Sequence, residues 1–262
     1  MDIKELSIQN EWNKQNHPWE YARCVVVNSI LKRHIKKISP NSTVLDVGCG
    51  DLFFINDFCQ RYNSFRPIAV DSAFDEELMA TLKNKYNKID VKLYKDIAQV
   101  ETESKVSLVF LLDVLEHIQD DRAFLDTLLQ QEYIGKDTQF MITVPAFNSV
   151  YVDRDKWLGH YRRYSRKQIM QVMKDSNLQI IESGYFFTFP LLIRFIESLK
   201  KGKKQEEQNF NTETGIGSWS GGKLVTYIYK SILLCDFYFF RLFHFLGIKV
   251  PGLSTYVVCK LA

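Results

Sequence analysis

Cysteine is scarce and scattered in this chain. Five occur among 262 residues (Cys24, Cys49, Cys59, Cys235 and Cys259), an odd number without regular spacing. That excludes a disulfide framework and makes a reducing, cytoplasmic compartment the expectation. There is no C-x-x-C and no H-x-x-x-H pair, and the histidines lie far apart, so no metal site is expected. Charge of one sign is also lacking. A net charge of +3 is only mildly basic and does not argue for nucleic acid as a partner. The opening Met1-Asp2-Ile3-Lys4-Glu5 has no apolar signal region. No uninterrupted apolar run is long enough to span a bilayer, because Leu224 to Leu246 includes Lys230, Asp236, Arg241 and His244. No internal repeat is present.

What remains is an ordinary globular composition, 46% hydrophobic, which supplies a real core. Helical spacing runs from about Glu20 to Lys37, and Pro40-Asn41-Ser42 breaks the chain before a strand at 43–47. A helix over 51–62, a strand at 67–71, a helix over 74–86 and a short strand at 91–94 follow. Val106 to Leu112 is nearly continuous in apolar residues, which predicts a central strand buried on both faces. Then come a helix over 120–131, a strand from Gln139 to Val144 stopped by Pro145, a helix opened by Ser165, and a strand over 178–187. This order predicts an α/β fold: a doubly wound, mostly parallel seven-stranded sheet with helices on both faces. The last strand is expected at Ser254–Leu261, after a helical insertion over about 190–250. The whole chain reads as one domain with an N-terminal helical cap over about 1–40. Within the insertion, 200–222 is polar, Gly-rich and expected to be mobile, and 224–246 is a long aromatic helix.

The most informative stretch is Val44-Leu45-Asp46-Val47-Gly48-Cys49-Gly50-Asp51. An apolar run ends in an acid and two glycines, and the next apolar run, Ile68-Ala69-Val70, ends in Asp71. Such a bend lets a ligand approach bare backbone, and the second acid suits ribose hydroxyls. A dinucleotide would want a third glycine where Phe53 stands, and its pyrophosphate would be repelled by Asp46. A ligand carrying a sulfonium and an ammonium group suits that acid instead, which favours S-adenosylmethionine.

On these residues the chain resembles the class I S-adenosylmethionine-dependent methyltransferases. Also matching are Leu112-Asp113-Val114-Leu115-Glu116-His117-Ile118 and Val144-Pro145-Ala146. Gly159-His160-Tyr161-Arg162-Arg163-Tyr164 is similar to the G-H-x-R-R-Y segment of a small-molecule subgroup. His17-Pro18-Trp19-Glu20-Tyr21-Ala22-Arg23 is similar to that subgroup's entry segment. The resemblance implies that Asp46, Gly48, Cys49, Gly50, Asp71, Ser72, Asp96 and Asp113 bind the methyl donor, with Asp71 on the ribose and Asp96 near the adenine. It implies His160 and His117 as catalytic candidates, and Trp19, Arg23, Arg162, Arg163 and Tyr164 as acceptor-binding residues. An imidazole takes up a proton near neutrality, and paired arginines suit a carboxylate or phosphate. One departure stands at Leu52, where many members have a third glycine; a side chain there must point away from the ligand.

The acceptor is narrowed by exclusion. The [DNS]-P-P-[YFW] motif of amino-methylating nucleic-acid enzymes is replaced by Leu112-Asp113-Val114-Leu115, and no Pro-Cys nucleophile is present, since Pro145 precedes Ala146. A small-molecule, sugar or lipid-linked acceptor and O-methylation are expected. N- or C-methylation, or a non-catalytic protein that binds the donor or its product S-adenosylhomocysteine, remain open. The helix over 224–246 reads as a lid, a homodimer face or a peripheral membrane contact.

Overall fold

The computed structural model describes residues 17–201 and 221–262. The N-terminal part of the expected cap (1–16) and most of the stretch expected to be mobile (202–220) lie outside the described residues.

Seven strands form one sheet: β1 (Thr43–Val47), β2 (Arg66–Val70), β3 (Lys92–Tyr94), β4 (Val106–Leu112), β5 (Ile134–Pro145), β6 (Leu178–Phe186) and β7 (Ser254–Leu261). Their order is β3-β2-β1-β4-β5-β7-β6. The pairs β3–β2, β2–β1, β1–β4 and β4–β5 are parallel. Strand β7 slots antiparallel between β5 and β6, which makes the sheet mixed at that edge. Strand order reverses between β1 and β4, and a crevice opens there at the carboxyl ends of the strands.

Alternation along the buried strands feeds two cores, one on each face. Val44 of β1 and Phe110 of β4 pack with Val26, Ile30 and Leu31 of α1 (Pro18–Ile35) and with Phe54 and Phe58 of α2 (Phe53–Arg61). On the opposite face Leu45, Val109 and Ile142 meet Leu125 and Leu128 of α4 (Asp121–Leu129), following α3 (Glu76–Lys85), and Ile169 and Met173 of α6 (Arg166–Asp175). Helix α6 begins at a capping box, with the Ser165 hydroxyl accepting from Gln168 N–H and the Gln168 amide oxygen accepting from Ser165 N–H. The short α5 (Asp153–Leu158) precedes it.

The fifth strand starts earlier than its apolar run suggests. Gly135 to Asp137 are polar or small, yet the Thr138 hydroxyl accepts from Gly135 N–H at 2.9 Å and donates to the Val106 carbonyl at 2.6 Å. A side chain thereby satisfies the ladder where the register shifts between Val106 and Leu108.

The insertion forms α7 (Thr188–Lys201) and α8 (Lys223–Phe245). Three charged residues of α8, Asp236, Arg241 and Lys230, engage neighbouring elements. The buried Asp236 carboxylate accepts from the N–H groups of Thr188 and Phe189 at 2.9 and 2.8 Å, capping α7. Arg241 donates to Ser29 of α1, and Lys230 lies over the Tyr21 ring. The outward face carries Tyr227, Ile228, Phe239, Leu242 and Phe245, all exposed. Among the described residues no helix is long and apolar enough to cross a membrane.

Candidate active site

A cavity of about 500 Å³ opens at the β1/β4 crevice, within the ~300–1,000 Å³ range of small-molecule sites. One wall is the glycine bend. Gly48 has φ +70°, and a Cβ there would lie 2.6 Å from a Val114 methyl, so only glycine fits without displacement. The N–H groups of Gly48 and Cys49 both donate to the Val70 carbonyl, at 2.8 and 3.2 Å, which pins the bend to β2. Cys49 is buried, and burial pushes its thiol well up; it packs in the core and does not line the cavity. Asp71 accepts from Gly50 N–H at 2.9 Å and from Ala73 N–H at 3.0 Å. Its carboxylate is thus fixed at the cavity wall with lone pairs to spare, and the exposed Ser72 lines the same wall. Asp46 lies beneath, only 2% exposed, and burial pushes its carboxyl up to about 7 while Arg23 pulls the other way.

Leu52 satisfies the condition set by its glycine-like position. It takes the left-handed conformation (φ 63°) before α2, and its side chain is fully buried in the core with Phe54 and Phe58. It is not among the cavity residues.

Asp113 turns the tip of β4 with φ 58°. Its carboxylate accepts from Thr143 Oγ1 at 2.9 Å and from Arg23. Arg23 also donates to Glu20 at 2.7 Å, one helical turn away. Burial works against the Arg23 charge, but Glu20 and Asp113 hold its pKa above the usual value. Trp19 lines the cavity beside them, with its ring against Phe187.

The far wall comes from the loop after β5. His160 Nδ1 lies 3.0 Å from Asp155 Oδ1, and that carboxylate accepts from Arg163 Nη2 at 2.7 Å and from Val152 N–H at 2.8 Å. Burial would raise the Asp155 carboxyl, but His160 and Arg163 hold it down at about 2. Tyr161 N–H donates to the Glu116 carbonyl at 2.7 Å and ties this loop to the 3₁₀ turn Leu115–His117. The His117 and His160 rings therefore meet edge to face, centroids 4.6 Å apart. Histidines far apart in sequence thus meet in the fold: one ligand atom each from Glu116, His117 and His160 lies within 4.8 Å of the others.

Besides Asp46 and Cys49, three expected site residues do not line the cavity. Asp96 is exposed and caps a 3₁₀ turn, accepting from Ala98 N–H at 2.8 Å. Arg162 turns to Asp121 and to the Gln119 carbonyl. Tyr164 is buried, its hydroxyl 2.7 Å from Asp121. Arg163 does line the cavity, but its guanidinium is committed to Asp155 and the Ala146 carbonyl. Conversely, Glu20, Arg154, Asp155 and Arg194 line the cavity without having been singled out. Only Glu20 had a local signal, its position one helical turn before Arg23.

A family described as "Methyltransferase domain" matches residues 19–183. A ubiquinone biosynthesis O-methyltransferase of Rickettsia typhi (strain ATCC VR-144 / Wilmington) is 23% identical over 192 residues, 66% of this chain and 76% of that protein. Among solved structures, coclaurine N-methyltransferase bound to N-methylheliamine and SAH has a TM-score of 0.52 at 16% identity, covering 90% of this chain and 70% of that one. Phosphoethanolamine N-methyltransferase 2 of Haemonchus contortus, in complex with S-adenosyl-L-methionine, has a TM-score of 0.54 at 14% identity, covering 89% and 52%. At these identities the structural likeness is one of fold.

Proposed function

The chain belongs to the methyltransferase-domain family, and from that premise we propose that it transfers a methyl group from S-adenosylmethionine to a hydroxyl of a small-molecule, sugar or lipid-linked acceptor. It is read as a member of the small-molecule subgroup carrying the segment Gly159 to Tyr164. The bound donor supplies an activated methyl on a sulfonium, so the protein's task is alignment and exclusion of water. Gly48 leaves backbone room for the donor, Asp71 presents a fixed carboxylate to its ribose, and the buried Asp46 favours its positive charge.

The observation that supports transfer to oxygen is the Asp155–His160 pair. A hydroxyl holds its proton at neutral pH, and a carboxylate-oriented imidazole at the acceptor wall is an activating element for it. Titration calorimetry with S-adenosylhomocysteine tests the donor site: saturable binding lost in Asp71→Ala is expected, and absence of binding overturns the reading. His160→Gln is expected to lower turnover with little change in donor affinity; unchanged turnover removes His160 from the acceptor chemistry.

The outward apolar face of α8 supports a peripheral membrane contact, where a lipid-linked acceptor would be met. Sedimentation with anionic vesicles at low salt is the test. A protein that stays in the supernatant as a dimer makes this face a subunit contact instead.

A further inference from the structure

We propose that Glu116, His117 and His160 form a binding site for one divalent transition-metal ion on the acceptor side of the cavity. The proposal deepens the functional reading and rests on it for the ion's role, while binding of the ion can be measured separately.

The first observation is convergence. Ligand bonds of about 2.0–2.2 Å place the donors of a tetrahedral ion about 3.3–3.6 Å apart. The three donor atoms lie within 4.8 Å of one another, so side-chain shifts of about an ångström would close the site. The second is independent of that distance. Glu116 is fully buried, and neither carboxylate oxygen has a hydrogen-bond partner among the described residues. A buried carboxyl left so is costly unless it holds a proton or a cation. The arginines that act on it, Arg23 and Arg163, are already engaged by Glu20 and Asp113 and by Asp155.

The third is the support behind His160. A metal-ligating histidine commonly holds its other ring nitrogen against a carboxylate, which sets the tautomer and the ring orientation. Asp155 does this at Nδ1 and leaves Nε2 for the ion, while Arg163 clamps Asp155 from behind. Two imidazoles and one carboxylate suit zinc, iron(II), cobalt or nickel better than the all-oxygen preference of magnesium and calcium.

Three protein ligands leave positions open for an acceptor oxygen. An acceptor hydroxyl bound there loses its proton to water more readily. Its oxygen then forms the bond to the methyl carbon as the carbon–sulfur bond breaks, leaving the neutral thioether of S-adenosylhomocysteine. In this arrangement His160 acts as a ligand, and the ion carries the activation.

The test uses the whole chain without a histidine tag, stripped with a chelator and titrated with Co²⁺ while visible absorption is recorded. One saturable ion per chain is expected, with the bands of nitrogen- and oxygen-bound cobalt. Glu116→Gln and His160→Gln are each expected to weaken it by more than about tenfold. Thermal melts establish that each variant folds, and the near-isosteric Glu116→Gln keeps the test decisive if His160→Gln does not. Cobalt binding that is absent, or that survives Glu116→Gln, overturns the site. Calorimetry with S-adenosylhomocysteine on the stripped protein separates the two readings: retained product binding without cobalt binding sinks the metal site alone, whereas lost product binding sinks the donor site.

Discussion

The N–H of Gly50 donates to Asp71 Oδ2 at 2.9 Å, so the glycine bend after β1 and the acid after β2 are one structural unit. Asp71 braces the bend and, in the proposed function, offers the ligand its remaining lone pairs. Asp71→Ala removes both roles. Hydrogen bonds to a charged group contribute about 1.5–3 kcal/mol each, so affinity for S-adenosylhomocysteine is expected to fall about ten- to hundredfold or more, read by calorimetry.

Gly48→Ala is expected to abolish measurable donor binding. The new methyl would sit 2.6 Å from Val114 on a backbone with φ +70°. The double variant Gly48→Ala with Val114→Ala relieves the contact but keeps the left-handed strain of about 1–2 kcal/mol. Denaturant melts should therefore show partial recovery, short of the parent protein.

Asp46 is expected to make donor affinity depend on pH. Its carboxyl is raised by burial from 3.8 to about 7. An acid raised in this way favours the folded, ligand-free protein below pH 3.8, and that contribution is lost as pH rises through about 7. A cationic donor prefers the ionised form. Affinity is expected to increase as pH rises toward about 7, with proton release in calorimetry run in two buffers. In Asp46→Asn the affinity should be weaker and this dependence absent.

Glu182 on β6 ties the sheet edge to α1 and β7. Burial alone would raise its carboxyl, but His34, Tyr256 and Arg33 hold it at about 2, below the ordinary 4.5. Its stabilisation is present above pH 4.5 and is lost as pH falls toward about 2. Glu182→Gln should melt earlier than the parent at pH 7, and the two midpoints should converge near pH 2.

Asp236→Ala leaves the first N–H groups of α7 without their acceptor. The expected cost is about 0.5–2 kcal/mol, read as an earlier melt.

The strands legible in the sequence were those whose pattern is local. Val106 to Leu112 is apolar but for Ser107 and became β4, and the glycine bend fell where the motif placed it. The start of β5 was hidden because Thr138 replaces a ladder partner with its hydroxyl, which no apolar run announces. At the site, the resemblance marked Asp96 by its place after the third strand and Arg162 by its motif, but local partners capture both: Ala98 N–H takes the first, Asp121 and the Gln119 carbonyl the second. Arg23 and Asp113 are 90 residues apart, and their pairing follows only from where α1 lands on the sheet. Likewise Glu116 and His160 meet because a backbone bond from Tyr161 closes the loop onto the turn. Such convergence depends on tertiary geometry and leaves no periodic trace.

The line Glu20–Arg23–Asp113–Thr143 joins α1 to the tips of β4 and β5 along one side of the cavity. The N-terminal helix and any ligand resting on Asp113 are therefore thermodynamic partners. A ligand that settles there more tightly when α1 is docked must hold α1 in place by the same free energy. Protection of residues 18–35 from hydrogen exchange would then report occupancy of a pocket in which most of them have no direct part.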